Sequence, residues 1–129
     1  MAALPEQIFR EADLVSIHLP LTEETRLLAN RDFFNSFSKP IVFLNTARGE
    51  IVETEALLLA LESGKVSAAG LDVFASEPPW KNADFLPAWR RLQALEQVVI
   101  SPHIGGWTRE SKQRMAEILL QRIAEQFSK

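Results

Sequence analysis

Arg48, Glu77 and His103 form a set whose chemistry is complementary. A histidine exchanges a proton with a hydroxyl or carbonyl oxygen near neutral pH. A carboxylate bonded to its other ring nitrogen fixes the tautomer and favours the protonated ring. An arginine holds a carboxylate through two parallel hydrogen bonds and polarises the neighbouring carbonyl. The three together suit reduction of a 2-oxo acid or oxidation of a 2-hydroxy acid. The hydride must then come from a cofactor, because no side chain supplies one. Each residue taken alone is weak evidence, since an arginine at a strand-to-loop junction is usually just solvated.

What joins them is their place after apolar runs. Four runs rich in β-branched residues stand out: LVSIHL (14–19), IVFLN (41–45), SAAGLDVF (67–74) and VVIS (98–101). They are almost continuously apolar, as expected for parallel strands covered on both faces. The first ends in His18-Leu19-Pro20 and the second in Asn45-Thr46-Ala47-Arg48-Gly49. The third ends in Asp72-Val73-Phe74 and then Glu77-Pro78, and the fourth in Ser101-Pro102-His103-Ile104-Gly105-Gly106. Every run thus delivers polar groups to one edge of the sheet, and Gly49 would let the backbone turn sharply beneath Arg48.

Helical patterns separate the runs. NRDFFNSF (30–37) can be capped by the side chain of Asn30. ETEALLLALESG (53–64) puts Leu57, Leu58 and Leu61 on one face and stops at Gly64. A last helix can run from Thr108 to about Phe127 with Met115, Ile118, Leu119 and Ile123 in an apolar stripe. Strands alternating with helices predict a parallel α/β sheet with right-handed crossovers, whose ligands bind at the strands' carboxyl edge. ASEPPWKNADFLPAWRRL (75–92) reads as one long irregular loop at that edge, and loops of that length inside a domain are usually functional.

The bulk numbers narrow the classes. At 129 residues, 47% hydrophobic and 24% charged, the chain fits one globular domain with a real core. A net charge of −3 argues against a nucleic-acid surface. No apolar run reaches membrane length, and MAALPEQIFREAD lacks the pattern of a signal peptide. With no cysteine there are no disulfides, thiol catalysis or thiolate metal sites, which suits a cytoplasmic protein. His18 and His103 show no metal-ligand spacing, so a metal-dependent hydrolase is a weak reading and no metal site is expected.

The segments VSIHLPLTEETRLL, FLNTARGEIVETEALLLALESGKVSAAGLDVFASEPP and VVISPHIGGWTRES closely resemble the D-isomer-specific 2-hydroxyacid dehydrogenases. Within that family, HIGGWT and the overall wording look most like a group of 3-phosphoglycerate dehydrogenases. The resemblance covers nearly the whole chain, with its motifs in the family's order. It implies that Arg48 holds the substrate carboxylate, His103 is the acid/base and Glu77 is the histidine's partner. It further implies an NAD site near Leu19, Thr46, Arg48, Asp72, His103, Gly105 and Gly106. Asp72 would then face the nicotinamide side, and the two glycines would leave room for the ring.

The departures matter as much. The family's nucleotide domain opens with a Gly-x-Gly-x-x-Gly turn whose helix holds the pyrophosphate, and this chain's glycines, at 49, 64, 70, 105 and 106, form no such turn. The acidic residue that reads the ribose is missing too, which leaves NADP open beside NAD. The fold expected is the second half of a Rossmann-type doubly wound parallel sheet, with four parallel strands and flanking helices. Residues 1–129 would form a partial NAD-binding domain without the glycine-rich half or the substrate domain, and by itself inactive. A catalytically inactive binding or assembly module that kept the fold is the alternative. The expected partners are a small 2-hydroxy or 2-oxo acid, 3-phosphoglycerate by the resemblance, and a second copy paired through the exposed edge of the sheet. His18 is either a satisfied strand-end histidine or a cofactor contact, and Trp107 either lines the cleft or packs under the last helix.

Overall fold

A computed structural model describes residues 5–127 and places four parallel strands side by side in chain order. They are β1 (Leu14–Ile17), β2 (Ile41–Asn45), β3 (Val66–Leu71) and β4 (Val98–Ile100). The register runs Ile17 against Asn45, Asn45 against Leu71, and Leu71 against Ile100, so all four strands end level. That alignment brings the loops after the strands to one edge. The fold class expected from the sequence is the one observed.

Among the described residues five helices accompany the sheet: α1 (Pro5–Glu11), α2 (Arg31–Asn35), α3 (Thr54–Glu62), α4 (Leu86–Ala94) and α5 (Arg109–Phe127). The Asn30 side chain accepts from the Phe33 amide at 3.0 Å and opens α2 as its type dictates. Leu57, Leu58 and Leu61 of α3 are buried, and Gly64 behind it takes φ of 76°, the left-handed stop that glycine adopts cheaply. Phe34 meets Phe43 of β2 edge-on at 5.2 Å, while Phe9 of α1 meets Phe37 at 5.0 Å. The first contact fastens α2 to the sheet, and the second fastens α1 to the chain just after α2.

Two expectations need correction. Burial alternates along β2: Ile41, Phe43 and Asn45 are buried, while Val42 and Leu44 are only half-buried, so one face is packed more fully than the other. The supposed loop 75–92 contains a short turn at Pro79–Lys81 and most of α4. Asn82 nucleates that helix, its carbonyl accepting from the Leu86 amide and its side chain from the Asp84 and Phe85 amides. Pro87 sits in the first turn, where its missing N–H costs nothing. The last helix runs as the sequence predicts: α5 begins beside Thr108, whose hydroxyl accepts from the Ser111 amide, and it buries none of its residues. Its stripe of Met115, Ile118, Leu119 and Ile123 is exposed.

Candidate active site

The loop after β2 carries Arg48, and Asn45 shapes it. Asn45 is a buried polar residue whose side-chain oxygen accepts from the Ala47 amide at 3.0 Å. Its side-chain nitrogen donates to the Arg48 carbonyl at 2.9 Å. The Arg48 guanidinium is exposed, and Nη1 donates to the Ala47 carbonyl at 2.6 Å. Gly49 is required for a reason other than a sharp turn. A β-carbon there would stand 1.8 Å from the carbonyl carbon of Phe74, because the chain leaving β3 lies directly against it. This close approach sets the Arg48 loop beside the segment that carries Glu77.

Glu77 is fixed by both oxygens. Oε1 accepts from the Phe74 amide at 3.1 Å, and Oε2 lies 2.6 Å from Nδ1 of His103. An ionised carboxylate only accepts, so Nδ1 carries the proton and Nε2 is left for another partner. His103 itself has φ of 55°, a left-handed conformation that is uncommon for a residue with a side chain.

Asp72 accounts for that conformation. It is buried, and Oδ1 accepts from the Ser101 hydroxyl at 2.5 Å and from the Ile104 amide at 2.9 Å. Oδ2 accepts from the Gly105 amide at 2.8 Å, and the Asp72 carbonyl accepts from the His103 amide at 2.8 Å. Burial alone would raise the pKa of this carboxyl. The Ser101 hydroxyl, the Gly105 and Ile104 amides and the His103 charge outweigh it, so the pKa falls below the ordinary aspartate value. Asp72 is thus an anion clasped by the loop that carries the histidine. A β-carbon at Gly105 would come 2.9 Å from Oδ2, so this glycine makes room for the aspartate, whereas space around Gly106 is open.

The three residues with complementary chemistry meet. Arg48, Glu77 and His103 line one cleft of about 330 Å³ with Gly49, Glu50, Phe74 and Ala75. Arg48 also lines a second cleft, of about 640 Å³, with His18, Leu19 and Thr46. Asp72 and Gly105 line neither of these clefts, and are bonded to each other at the loop that carries His103. His18 is satisfied at its strand end, with Nε2 2.8 Å from the Ser16 hydroxyl, and it is also among the residues that line the second cleft. Trp107 does not pack under the last helix: it is 72% exposed. The sequence reading missed Asn45 and Ser101 as supports. A polar residue ending an apolar strand was the signal, because burying such a group demands partners. Among the described residues no three histidine, aspartate or glutamate side chains gather as a metal site, and no helix is long and apolar enough to cross a membrane.

For a dinucleotide, the second cleft and the open space at Gly106 fit the nicotinamide end. The glycine-rich cradle for the pyrophosphate is not in this chain. A parallel α/β sheet with polar side chains gathered at its carboxyl edge is the arrangement of a nucleotide-binding domain. Residues 2–105 match the family described as "D-isomer specific 2-hydroxyacid dehydrogenase, NAD binding domain", and the chain belongs to that family. Its cofactor is NAD. It is 40% identical over 122 residues to hydroxypyruvate reductase of Thermotoga maritima, covering 95% of this chain and 38% of that protein. It is 36% identical over 119 residues to D-3-phosphoglycerate dehydrogenase 2, chloroplastic, of Arabidopsis thaliana, covering 92% of this chain and 18% of that one. Among solved structures, D-lactate dehydrogenase with NAD+ from Lactobacillus jensenii superposes with a TM-score of 0.77 at 33% identity, over 92% of this chain and 38% of that one. The chain therefore spans well under half the length of these relatives.

Proposed function

We propose that this domain works in an enzyme that interconverts 2-oxo acids and D-2-hydroxy acids with NAD(H). The observation that carries the reading is the meeting of Arg48, Glu77 and His103 in one cleft. When bound, the reduced nicotinamide supplies a hydride to C2 of the oxo acid. Arg48 holds the substrate carboxylate with donors not taken by Ala47, and so orients the carbonyl. His103 gives the proton on Nε2 to the carbonyl oxygen as the hydride arrives, leaving a hydroxyl. Glu77 holds Nδ1–H throughout, steadying the ring while its charge changes. The histidine regains its proton from solvent, and the reverse reaction uses the same groups as acceptors.

The finer assignment to 3-phosphoglycerate draws on wording shared with one branch of the family, while hydroxypyruvate reductase is also among its relatives. Hydroxypyruvate, glyoxylate and 3-phosphoglycerate all share the carboxylate and C2 oxygen that this cleft addresses. The reading is tested by substituting these 129 residues for the matching segment of the Thermotoga maritima reductase, which supplies the glycine-rich half and the substrate domain. The chimaera should oxidise NADH with hydroxypyruvate or glyoxylate. A folded chimaera that binds NADH yet reduces no 2-oxo acid would count for the inactive assembly module.

A further inference from the structure

Asn45 ends β2 on the packed face of the sheet, in line with Ile41 and Phe43, and is 1% exposed. Its side chain serves two groups of the loop that follows, the Ala47 amide and the Arg48 carbonyl. The first needs an acceptor and the second a donor, so a side-chain amide satisfies both in one orientation only. The two bonds bracket a single peptide unit. The Ala47 N–H belongs to the unit before Ala47, the Arg48 carbonyl to the unit after Arg48, and the unit between joins these two residues. Its carbonyl, that of Ala47, accepts from Nη1 of the Arg48 guanidinium at 2.6 Å. The Arg48 carbonyl also accepts from the Ile51 amide, through a longer bond of 3.4 Å. Asn45 is tied to the histidine side as well. Its backbone carbonyl accepts from the Asp72 amide at 3.0 Å, and the Asp72 carbonyl accepts from the His103 amide at 2.8 Å.

From this arrangement we infer that Asn45 is the positioning residue for Arg48: by holding the peptide on which the guanidinium rests, it sets where a substrate carboxylate is received. The inference rests on the reading of the preceding section, in which Arg48 takes that carboxylate. An exposed arginine has several rotatable bonds and ordering it costs entropy at each binding event. A two-point contact with a carboxylate needs the planar fork aimed one way. Nη1 bonded to a fixed carbonyl aims the fork and leaves other N–H donors for the substrate. A loop whose Ala47–Arg48 peptide could turn over would carry the guanidinium away with it. The side chain of Asn45 bonds neither His103 nor Glu77, so its effect falls on carboxylate binding rather than on proton transfer.

Two variants test this in the chimaera. Asn45→Asp keeps the shape and the acceptor for the Ala47 amide, but turns an oxygen toward the Arg48 carbonyl. Asn45→Ser can still accept from the Ala47 amide, as serine does in tight turns, but is too short to reach the Arg48 carbonyl. Each should raise KM for hydroxypyruvate about tenfold or more, the scale on which a displaced clamp acts. The kcat and its pH profile should change little, the signature of lost binding without lost chemistry. Combined with Arg48→Lys, either variant should raise KM little beyond Arg48→Lys alone, because the fork it would position is already gone. Should Asn45→Asp fail to fold, Asn45→Ser carries the same comparison. Folded variants whose Tm falls while KM keeps the parent value overturn the role and leave Asn45 a support of the fold. A fall in kcat alone, or effects on KM that multiply in the double variant, overturns it too. A parent chimaera that reduces no 2-oxo acid overturns the proposed reaction itself, and this role with it.

Discussion

Nδ1 of His103 lies 2.6 Å from Oε2 of Glu77, although 26 residues separate them in the chain. The contact forms because β3 and β4 are neighbours that end level and deliver their loops to one edge. Glu77 is anchored at its other oxygen by the Phe74 amide, so the glutamate is fixed before the histidine arrives. His103 is also fixed independently, by the Asp72 carbonyl on its amide and the Asp72 carboxylate on the two residues after it. Two separately anchored side chains make a pair that would need little reorganisation during a proton transfer.

The first prediction concerns turnover in the chimaera. His103→Ala should lower kcat by about 10²–10⁴, the usual contribution of a positioned acid. Glu77→Gln keeps a hydrogen-bonding group and should lower kcat less, with little change in KM. Arg48→Lys should act mainly on KM for the oxo acid, since lysine keeps the charge but loses the planar two-point contact. Steady-state kinetics on the three variants checks the order; a KM effect in His103→Ala with kcat intact would reverse the roles.

A pH dependence follows from Asp72. Its folded pKa is depressed, so its contribution to stability is complete above the unfolded aspartate value of about 3.9. As pH falls below that value the unfolded chain protonates first, and the contribution is lost progressively toward the lower folded pKa. Ser101→Ala removes one hydrogen bond to a buried anion and should cost about 1.5–3 kcal/mol at neutral pH. Asp72→Asn should flatten the acid side of a plot of Tm against pH relative to the parent chain. An unchanged slope below pH ~4 would mean that other carboxylates set the acid limb.

How much of this was legible in advance follows from where the information lies. The four strands, the Asn30 cap and the Gly64 stop were readable because each depends on residues adjacent in sequence. The convergence of Arg48, Glu77 and His103 was readable because parallel strands impose a common carboxyl edge. The helix α4 was hidden by Pro87, which looks like a breaker until it is seen in a first turn. The clasp on Asp72 was hidden because Ser101, Ile104 and Gly105 reach it only across β3 and β4. Gly49 gave no local sign that the chain after Phe74 would lie against it.

That contact makes Gly49→Ala a severe substitution. The added methyl would overlap the Phe74 carbonyl carbon and oxygen at 1.8 and 2.0 Å, and backbone cannot rotate away as a side chain can. Destabilisation should exceed the ~1–3 kcal/mol of ordinary overpacking. Gly106→Ala meets open space and should leave Tm within a few degrees of the parent. Thermal melts of the two variants make the comparison, and equal losses would contradict the assigned close approach.

NADH should bind the 129-residue chain poorly. The second cleft can receive the nicotinamide end, but the pyrophosphate lacks the glycine-rich turn and its helix N-terminus. Calorimetric titration should show at best millimolar affinity for the chain and much tighter binding for the chimaera. Micromolar binding to the chain alone would mean that these residues hold the dinucleotide by contacts other than that cradle.

The last prediction concerns the open surfaces. Among the described residues β1 pairs only with β2, so its other edge carries backbone donors and acceptors with no strand beside them, and Leu14 on it is exposed. Such an edge is a template for another strand. The apolar stripe of α5 adds Met115, Leu119, Leu120 and Phe127 to the surface, all more than half exposed. Contiguous apolar area of this kind is uncommon on a monomer, and joining two copies would remove it from water. The 129-residue chain should therefore self-associate, through β1, through α5 or through both. Sedimentation over a concentration series should show mass rising toward a dimer or beyond. Replacing Leu119 and Ile123 by glutamine should weaken the association if α5 carries it, and Val15→Pro should weaken it if β1 does. A chain that stays monomeric at every concentration would show that neither surface is adhesive.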